Sequence, residues 1–283
     1  MAKKKFNKED ESGETSERRH HTDRSEAWNP KTEVGKKVLS GEFNSIHDIL
    51  DNSYPVMEAE IVDSLIPELE SDLLLIGQAK GKFGGGKRRV FRQTQKKTRE
   101  GNKPRFATMA IVGDKHGVIG LGYGKSKETV PAREKAVRNA KYNVFKIRRG
   151  CGSWECGCGE PHSLPFTVEG KCGSSIIKLI PAPKGTGLRV DKEVAKILAI
   201  AGIKDAWSRT YGQSRTKINL IMATEKALKK LMMVKLQDVH YERLSVSDGP
   251  GKTLRDEFKE ISEVVVEVKE DGRKKSKETA SEE

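Results

Sequence analysis

No stretch of the 283-residue chain approaches the roughly 18 consecutive apolar residues that a membrane span requires. Its opening, Met1-Ala-Lys-Lys-Lys-Phe, is not followed by the apolar core of a secretory signal. The expectation is a cytoplasmic chain with no membrane partner. Aromatic residues are scarce at 6%, and hydrophobic residues reach 35% against 34% charged. That balance excludes one large core and predicts small domains with solvated extensions. A catalytic constellation is also missing. The six histidines, His20, His21, His47, His116, His162 and His240, are scattered over tails, turns and loops, and no Ser/His/Asp or Cys/His set can be assembled. An enzyme is not expected.

Acidic residues are almost absent from one region. Residues 78–149 hold 21 Lys or Arg against Glu100, Asp114, Glu128 and Glu134, a local excess of 17 positive charges that exceeds the whole-chain value of +13. Within it, residues 78–105 carry eleven bases and one acid, interleaved with Phe83 and Phe91 in a glycine-rich frame. Such a stretch reads as a loop laid on polyphosphate, the alternative being a solvated linker. By contrast, residues 1–26 balance seven bases with seven acids and have hardly any apolar side chains. They predict disorder in the isolated chain, and the whole extension 1–55 is expected to be largely disordered alone. The tail from Ser247 is mildly acidic, with Val264–Val268 as a candidate strand for pairing with a partner.

Two glycine patterns suggest phosphate loops and lack a decisive residue. Gly81-Lys-Phe-Gly-Gly-Gly86-Lys87 has the right spacing, but Arg88 stands where a Ser or Thr must ligate magnesium, so no nucleotide is expected. In Gly120-Leu-Gly122-Tyr-Gly124-Lys125-Ser126, Ile119 replaces the first glycine. Two readings stand there: close packing of a strand against the next helix, or backbone approaching an RNA phosphate beside Lys125 and Lys127.

All four cysteines fall within 22 residues, Cys151, Cys156, Cys158 and Cys172, with His162 among them. In a cytosolic chain this clustering suggests one structural zinc rather than disulfides. The proposed ligands are the four cysteines, with His162 replacing Cys172 as a variant set. Against this, the spacing is not a pair of C-x-x-C knuckles, and Cys172 reads equally well as a small buried strand residue.

Periodicity predicts a short helix within Val56–Glu70, broken at Pro67, then a hairpin of Arg105–Asp114 and Val118–Tyr123, then a helix over Thr129–Ile147. After the cysteines, strands are expected at Phe166–Gly170 and Ser174–Ile180, and a helix capped by Asp191 and ended by Gly202. A strand at Lys217–Ile221 and a helix at Ala223–Met233 complete the pattern.

Arg105-Phe-Ala-Thr-Met-Ala-Ile-Val-Gly-Asp and Gly120-Leu-Gly-Tyr-Gly-Lys-Ser-Lys-Glu-Thr-Val-Pro-Ala-Arg-Glu-Lys-Ala-Val-Arg-Asn-Ala-Lys resemble the N-terminal domain of the small-subunit ribosomal protein S-five family. Phe166-Thr-Val-Glu-Gly-Lys-Cys-Gly-Ser, Leu179-Ile-Pro-Ala-Pro-Lys-Gly-Thr-Gly-Leu and Ile200-Ala-Gly-Ile-Lys-Asp-Ala-Trp-Ser-Arg-Thr-Tyr-Gly-Gln-Ser resemble its C-terminal domain, and the Cys-Gly-Ser-Trp-Glu-Cys insert resembles the archaeal branch. The resemblance implies an α+β fold. A double-stranded-RNA-binding-like α-β-β-β-α domain over 56–150 would be followed by a Cys-rich connector over 151–165, a β-β-α-β-α domain over 166–235 and an extension over 236–283.

The resemblance further implies a structural protein that binds small-subunit rRNA, abuts ribosomal proteins S-four and S-eight, lies near the path by which mRNA enters, and influences decoding accuracy. On its basic loop two alignments remain open, placing the RNA-facing tip at Lys87, Arg88 and Arg89 or at Arg99, Lys103 and Arg105. Lys82, Arg92, Lys96, Lys97, Lys125 and Lys127 complete the expected rRNA-facing set. Lys171, Gly173 and Ser174 fall at the segment expected to face S-four.

Overall fold

The computed structural model describes residues 28–78 and 88–249, and its first sheet is organised by one long strand. This is β3 (Gly101–Gly113), whose last five residues pair antiparallel with β1 (Glu70–Leu74) and whose first seven pair with β2 (Arg92–Thr98). On its other edge lies β4 (Val118–Ser126), followed by β5 (Val144–Lys146). Strand alternation gives the sheet two apolar faces. Met109, Ile111, Ile119 and Leu121 look one way, into a core shared with the second domain. Ala110, Val112 and Val118 look the other way, into a core with the helices.

Helix α4 (Thr129–Tyr142) lies on that second face, and the glycines of β4 decide how closely. A Cβ built on Gly120, Gly122 or Gly124 would come within 2.3, 2.2 and 2.2 Å of the carbonyl oxygens of Ala140, Ala136 and Ala132. Alternate strand positions repeat at about 6.8 Å and every fourth helical residue at about 6 Å, so glycines on the strand mesh with alanines on the helix. The structure adopts the packing reading of Gly120–Gly124, with the Cβ positions of all three glycines directed at α4. The expected helix to Ile147 stops at Tyr142. Val144 and Ile147 remain buried, but Val144–Lys146 pairs with Val118–Gly120 as an extra strand.

The expected disorder of residues 1–55 is corrected for 28–55. Helices α1 (Glu33–Leu39) and α2 (Ile46–Asp51) are capped by Thr32 and Ser45. Together with α3 (Ala59–Leu65) they cover the second core with Val34, Val38, Ile46, Ile49, Ile61 and Val62. Glu58 clasps the incoming chain, accepting hydrogen bonds from Trp28 Nε1 at 2.8 Å, Lys31 N at 2.9 Å and Thr32 N at 2.7 Å. Residues 1–27 and the candidate strand Val264–Val268 lie outside the described residues.

The second domain is a four-stranded sheet in the order β6 (Val168–Cys172), β7 (Ser175–Pro181), β9 (Ala206–Tyr211), β8 (Leu188–Arg189), with β8 parallel to β9. Between β8 and β9 runs α5 (Lys192–Ile200), with Asp191 as its cap and Gly202 at φ +83° just past its end, as expected. The expected strand at Lys217–Ile221 is instead the first turn and a half of α6 (Lys217–Met233). Leu220, Ile221, Thr224, Ala227, Leu228 and Leu231 form one buried stripe at helical spacing, so the short apolar run belongs to a longer 3.6-residue pattern.

Beyond the expected domain end, α7 (Asp238–Leu244) and the residues after it fold back, and Ser247 bridges Arg149. Helix α5 joins the two sheets. Lys196 pairs with Asp72 at 2.7 Å, and Glu193 accepts from Leu75 N at 2.7 Å. The buried Arg149 guanidinium donates to the carbonyls of Lys115, His116 and Gly249. The two sequence-defined domains therefore share a core.

Candidate nucleic-acid interface and the cysteine–histidine cluster

Most of the basic stretch expected as a loop is a β-hairpin. Strands β2 and β3 run from Arg92 to Arg105 around a turn at Arg99–Glu100, and their side chains are mostly exposed on both faces, so this ribbon projects from the core. Register places Lys96 directly opposite Lys103, and on the same face Thr94 opposite Arg105. Lys97 lies on the other face, opposite Asn102, and Arg99 is exposed in the turn. Two like charges facing across a ladder destabilise a hairpin, an arrangement that a polyanion relieves. The local acid is Glu100, 2.6 Å from Lys103, with both side chains well exposed.

At the root of the hairpin the cations converge. Arg105, Lys125, Lys127 and Lys135 line an open groove with Ser126, Glu128 and Pro131, at the N-terminus of the 14-residue helix α4. Glu128 occupies the cap position without a side-chain hydrogen bond to the helix, so it does not cap the amides of Thr129 and Val130. Lys135 was not singled out from the sequence. Its signal is its place one and a half turns into α4, on the exposed side beside Pro131.

The structure separates the other expected RNA-facing residues. Arg88 is half-buried and donates to the Gly77 and Arg215 carbonyls at 3.3 and 3.1 Å, so it ties the segment before β2 to the second domain. Arg89 and Arg92 are exposed. Arg92 also lines a second cationic groove with Arg88, Arg215 and Lys217. Lys82, Lys87 and the Gly81 loop lie outside the described residues. Lys171, Gly173 and Ser174 are exposed at the β6–β7 turn, where Gly173 takes φ +59° as the first central residue of a two-residue turn.

The cysteines divide three to one. Cys172 lies on β6, packed against the main core, and takes no part in the cluster. Cys151, Cys156, Cys158 and His162 bring their ligand atoms within 4.8 Å of one another. The Cys151 and Cys158 sulfurs are 3.7 Å apart, and the Cys156 sulfur is 3.6 Å from His162 Nε2. No sulfur pair is bonded. His162 is buried and meets Asp205 Oδ2 at 2.8 Å through Nδ1, while Asp205 Oδ1 accepts from Gly187 N at 2.7 Å. Burial, with the neighbouring thiols, pushes Cys151 up to about 12. Cys156 is drawn down to about 6 by the backbone N–H groups of Lys184 and Cys158, helped by its contacts with Cys158 and His162. The structure therefore groups His162, and not Cys172, with Cys151, Cys156 and Cys158. No helix among the described residues is long and apolar enough to cross a membrane.

Residues 76–148 match the family model for ribosomal protein S5, N-terminal domain, and residues 170–243 match that for ribosomal protein S5, C-terminal domain. The chain is 50% identical to the small ribosomal subunit protein uS5 of Nanoarchaeum equitans over 79% of its own length and 96% of the relative's. It is 44% identical to that of Methanocaldococcus jannaschii, over 78% and 95%, and 44% identical to that of Staphylothermus marinus, over 72% and 88%.

Proposed function

The chain belongs to the ribosomal protein S5 family, and from that premise we propose that it is a structural component of the small ribosomal subunit that grips the subunit's rRNA with its basic hairpin and the cationic groove below it. It is not an enzyme, and its place is with the cytoplasmic ribosome. The observation that carries the RNA reading is Lys96 facing Lys103 across a ribbon exposed on both sides. A free protein gains nothing from that pairing, whereas a phosphate against the face that carries Lys96, Lys103 and Arg105 neutralises it.

Each Lys or Arg that meets a phosphate releases condensed counterions, so the affinity is strongly dependent on salt and largely indifferent to base identity. The amides of Thr129 and Val130, which Glu128 does not cap, add a donor site for one phosphate beside Lys125 and Lys127.

The finer reading assigns the partners. The exposed turn at Lys171, Gly173 and Ser174 meets ribosomal protein S-four, S-eight lies alongside, and the path by which mRNA enters is close by. This reading rests on the family resemblance and on the exposure of that turn. A boundary that opens and closes between two subunit states biases decoding accuracy through its side chains, with no chemistry of its own.

Sedimentation of a native lysate through a sucrose gradient, before and after a high-salt wash, tests the proposal. One copy per small subunit, retained through the wash, is expected. Release at modest salt, or a position at the top of the gradient, would instead identify a free-standing RNA-binding regulator built on the same fold.

A further inference from the structure

We propose that Cys151, Cys156, Cys158 and His162 bind one structural zinc ion, with Asp205 positioning the histidine, and that this centre fastens the connector between the two domains. The argument is geometric. A tetrahedral zinc with sulfur at about 2.3 Å and nitrogen at about 2.05 Å requires sulfur–sulfur edges of about 3.8 Å and sulfur–nitrogen edges of about 3.55 Å. The Cys151–Cys158 sulfurs stand 3.7 Å apart, and Cys156 Sγ stands 3.6 Å from His162 Nε2. These spacings are far too long for a disulfide and fit the edges around a single ion. Three thiolates and one imidazole fill all four positions, which makes the site structural, with no place left for a substrate.

Asp205 supplies the second, independent observation. Its carboxylate accepts from His162 Nδ1 at 2.8 Å, which puts the proton on Nδ1 and turns the lone pair of Nε2 toward the three sulfurs. Asp205 is itself fixed by Gly187 N, and its backbone carbonyl accepts from Ser163 Oγ. The His162 carbonyl accepts from the backbone N–H groups of Lys204 and Asp205. An imidazole so fully immobilised, buried, and aimed at a thiol cluster has the build of a ligand.

The consequence is mechanical. Residues 151–163 bury few apolar side chains, and Trp154 at their tip is 90% exposed, so hydrophobic packing alone does not hold this stretch. The ion joins the chain leaving the first sheet at Gly150 to the α5–β9 junction of the second domain through His162 and Asp205. Helix α7 rests on the same knot, where Cys151 N donates to Leu244 O at 2.7 Å.

The full chain, purified without chelators, is analysed for metal by mass spectrometry and then reconstituted with cobalt(II). One zinc per chain is expected, and the cobalt form is expected to show the intense visible bands of a tetrahedral site with thiolate charge transfer. Cys156→Ser and Cys158→Ser are expected to lose the ion, and Cys172→Ser is expected to retain a full complement. Asp205→Asn is expected to bind zinc about 10- to 100-fold more weakly in a chelator competition. If the ligand variants fail to fold, the wild-type metal content, its cobalt spectrum and the Cys172→Ser chain still decide the matter. Metal far below one ion per chain, an octahedral cobalt spectrum, or loss of the ion in Cys172→Ser would overturn the proposal.

Discussion

Gly122 of β4 lies directly beneath Ala136 of α4, so close that a methyl group on the glycine would come within 2.2 Å of the alanine's carbonyl oxygen and 2.2 Å of Ala140 N. The glycine is needed for proximity rather than for its backbone angle, because its φ is not positive. The helix carries the matching small residues, Ala132, Ala136 and Ala140, all fully buried.

Gly122→Ala is therefore expected to force α4 off the sheet and to destabilise the protein by about 3 kcal/mol, at the upper end of overpacking costs. The check is a denaturant unfolding curve, in which the midpoint falls while the slope is retained. An unchanged midpoint would show that the helix can shift without loss.

Neutralising the facing pair Lys96 and Lys103 with glutamine is expected to leave the stability of the free protein unchanged or slightly raised, since a like-charge pairing is removed. Affinity for small-subunit rRNA should fall, and the slope of log K against log salt should flatten by up to about one unit for each phosphate that is no longer neutralised. Filter binding across a salt series reads both quantities. A lower affinity with the original slope would mean that the hairpin does not touch phosphate.

Lys171→Glu, at the exposed β6–β7 turn, is expected to alter misreading rates more than subunit assembly. A dual reporter for miscoding, run beside gradient profiles of assembled subunits, separates the two. Normal decoding with defective assembly would contradict the boundary role.

The Glu58 clasp predicts a response to acid. Burial works against its ionised form, but the hydrogen bonds from Thr32, Lys31 and Trp28 outweigh this and hold its carboxyl below the ordinary value of 4.5. A depressed pKa in the folded state contributes stability that is complete above the unfolded value and is lost as pH falls through the folded one. Residues 28–55 should accordingly loosen below about pH 4.5 before the rest of the domain. Trp28 fluorescence, in a chain whose other two tryptophans are Phe, follows the change. Glu58→Gln should remove the pH dependence and lose the Trp28 bond at all pH values.

The patterns that could be read from the chain itself were local ones. Alternation marked β3 and β4, Asp191 and Gly202 bounded α5, and the charge asymmetry of residues 78–149 pointed to a polyanion. Each depends on neighbours a few residues away, or on composition. The two small helices at 33–51 were legible in principle, since Thr32 and Ser45 precede apolar residues at helical spacing, but the polar stretch before them obscured the signal.

Tertiary structure decided what depends on distant partners. Lys217–Ile221 became helix because its apolar residues continue a stripe that packs on β6 and β7, and Val144–Lys146 became strand because the edge of β4 was open to it. Composition marked residues 78–105 as basic; only the pairing of β2 with β3 set Lys96 against Lys103 and brought Arg105 to Lys125, Lys127 and Lys135. Spacing alone left Cys172 and His162 as rival fourth members of the cluster. The fold settled the choice, because a side chain committed to β6 against the core cannot also reach the connector, whereas His162 is aimed at the thiols by Asp205, a residue 43 positions along the chain.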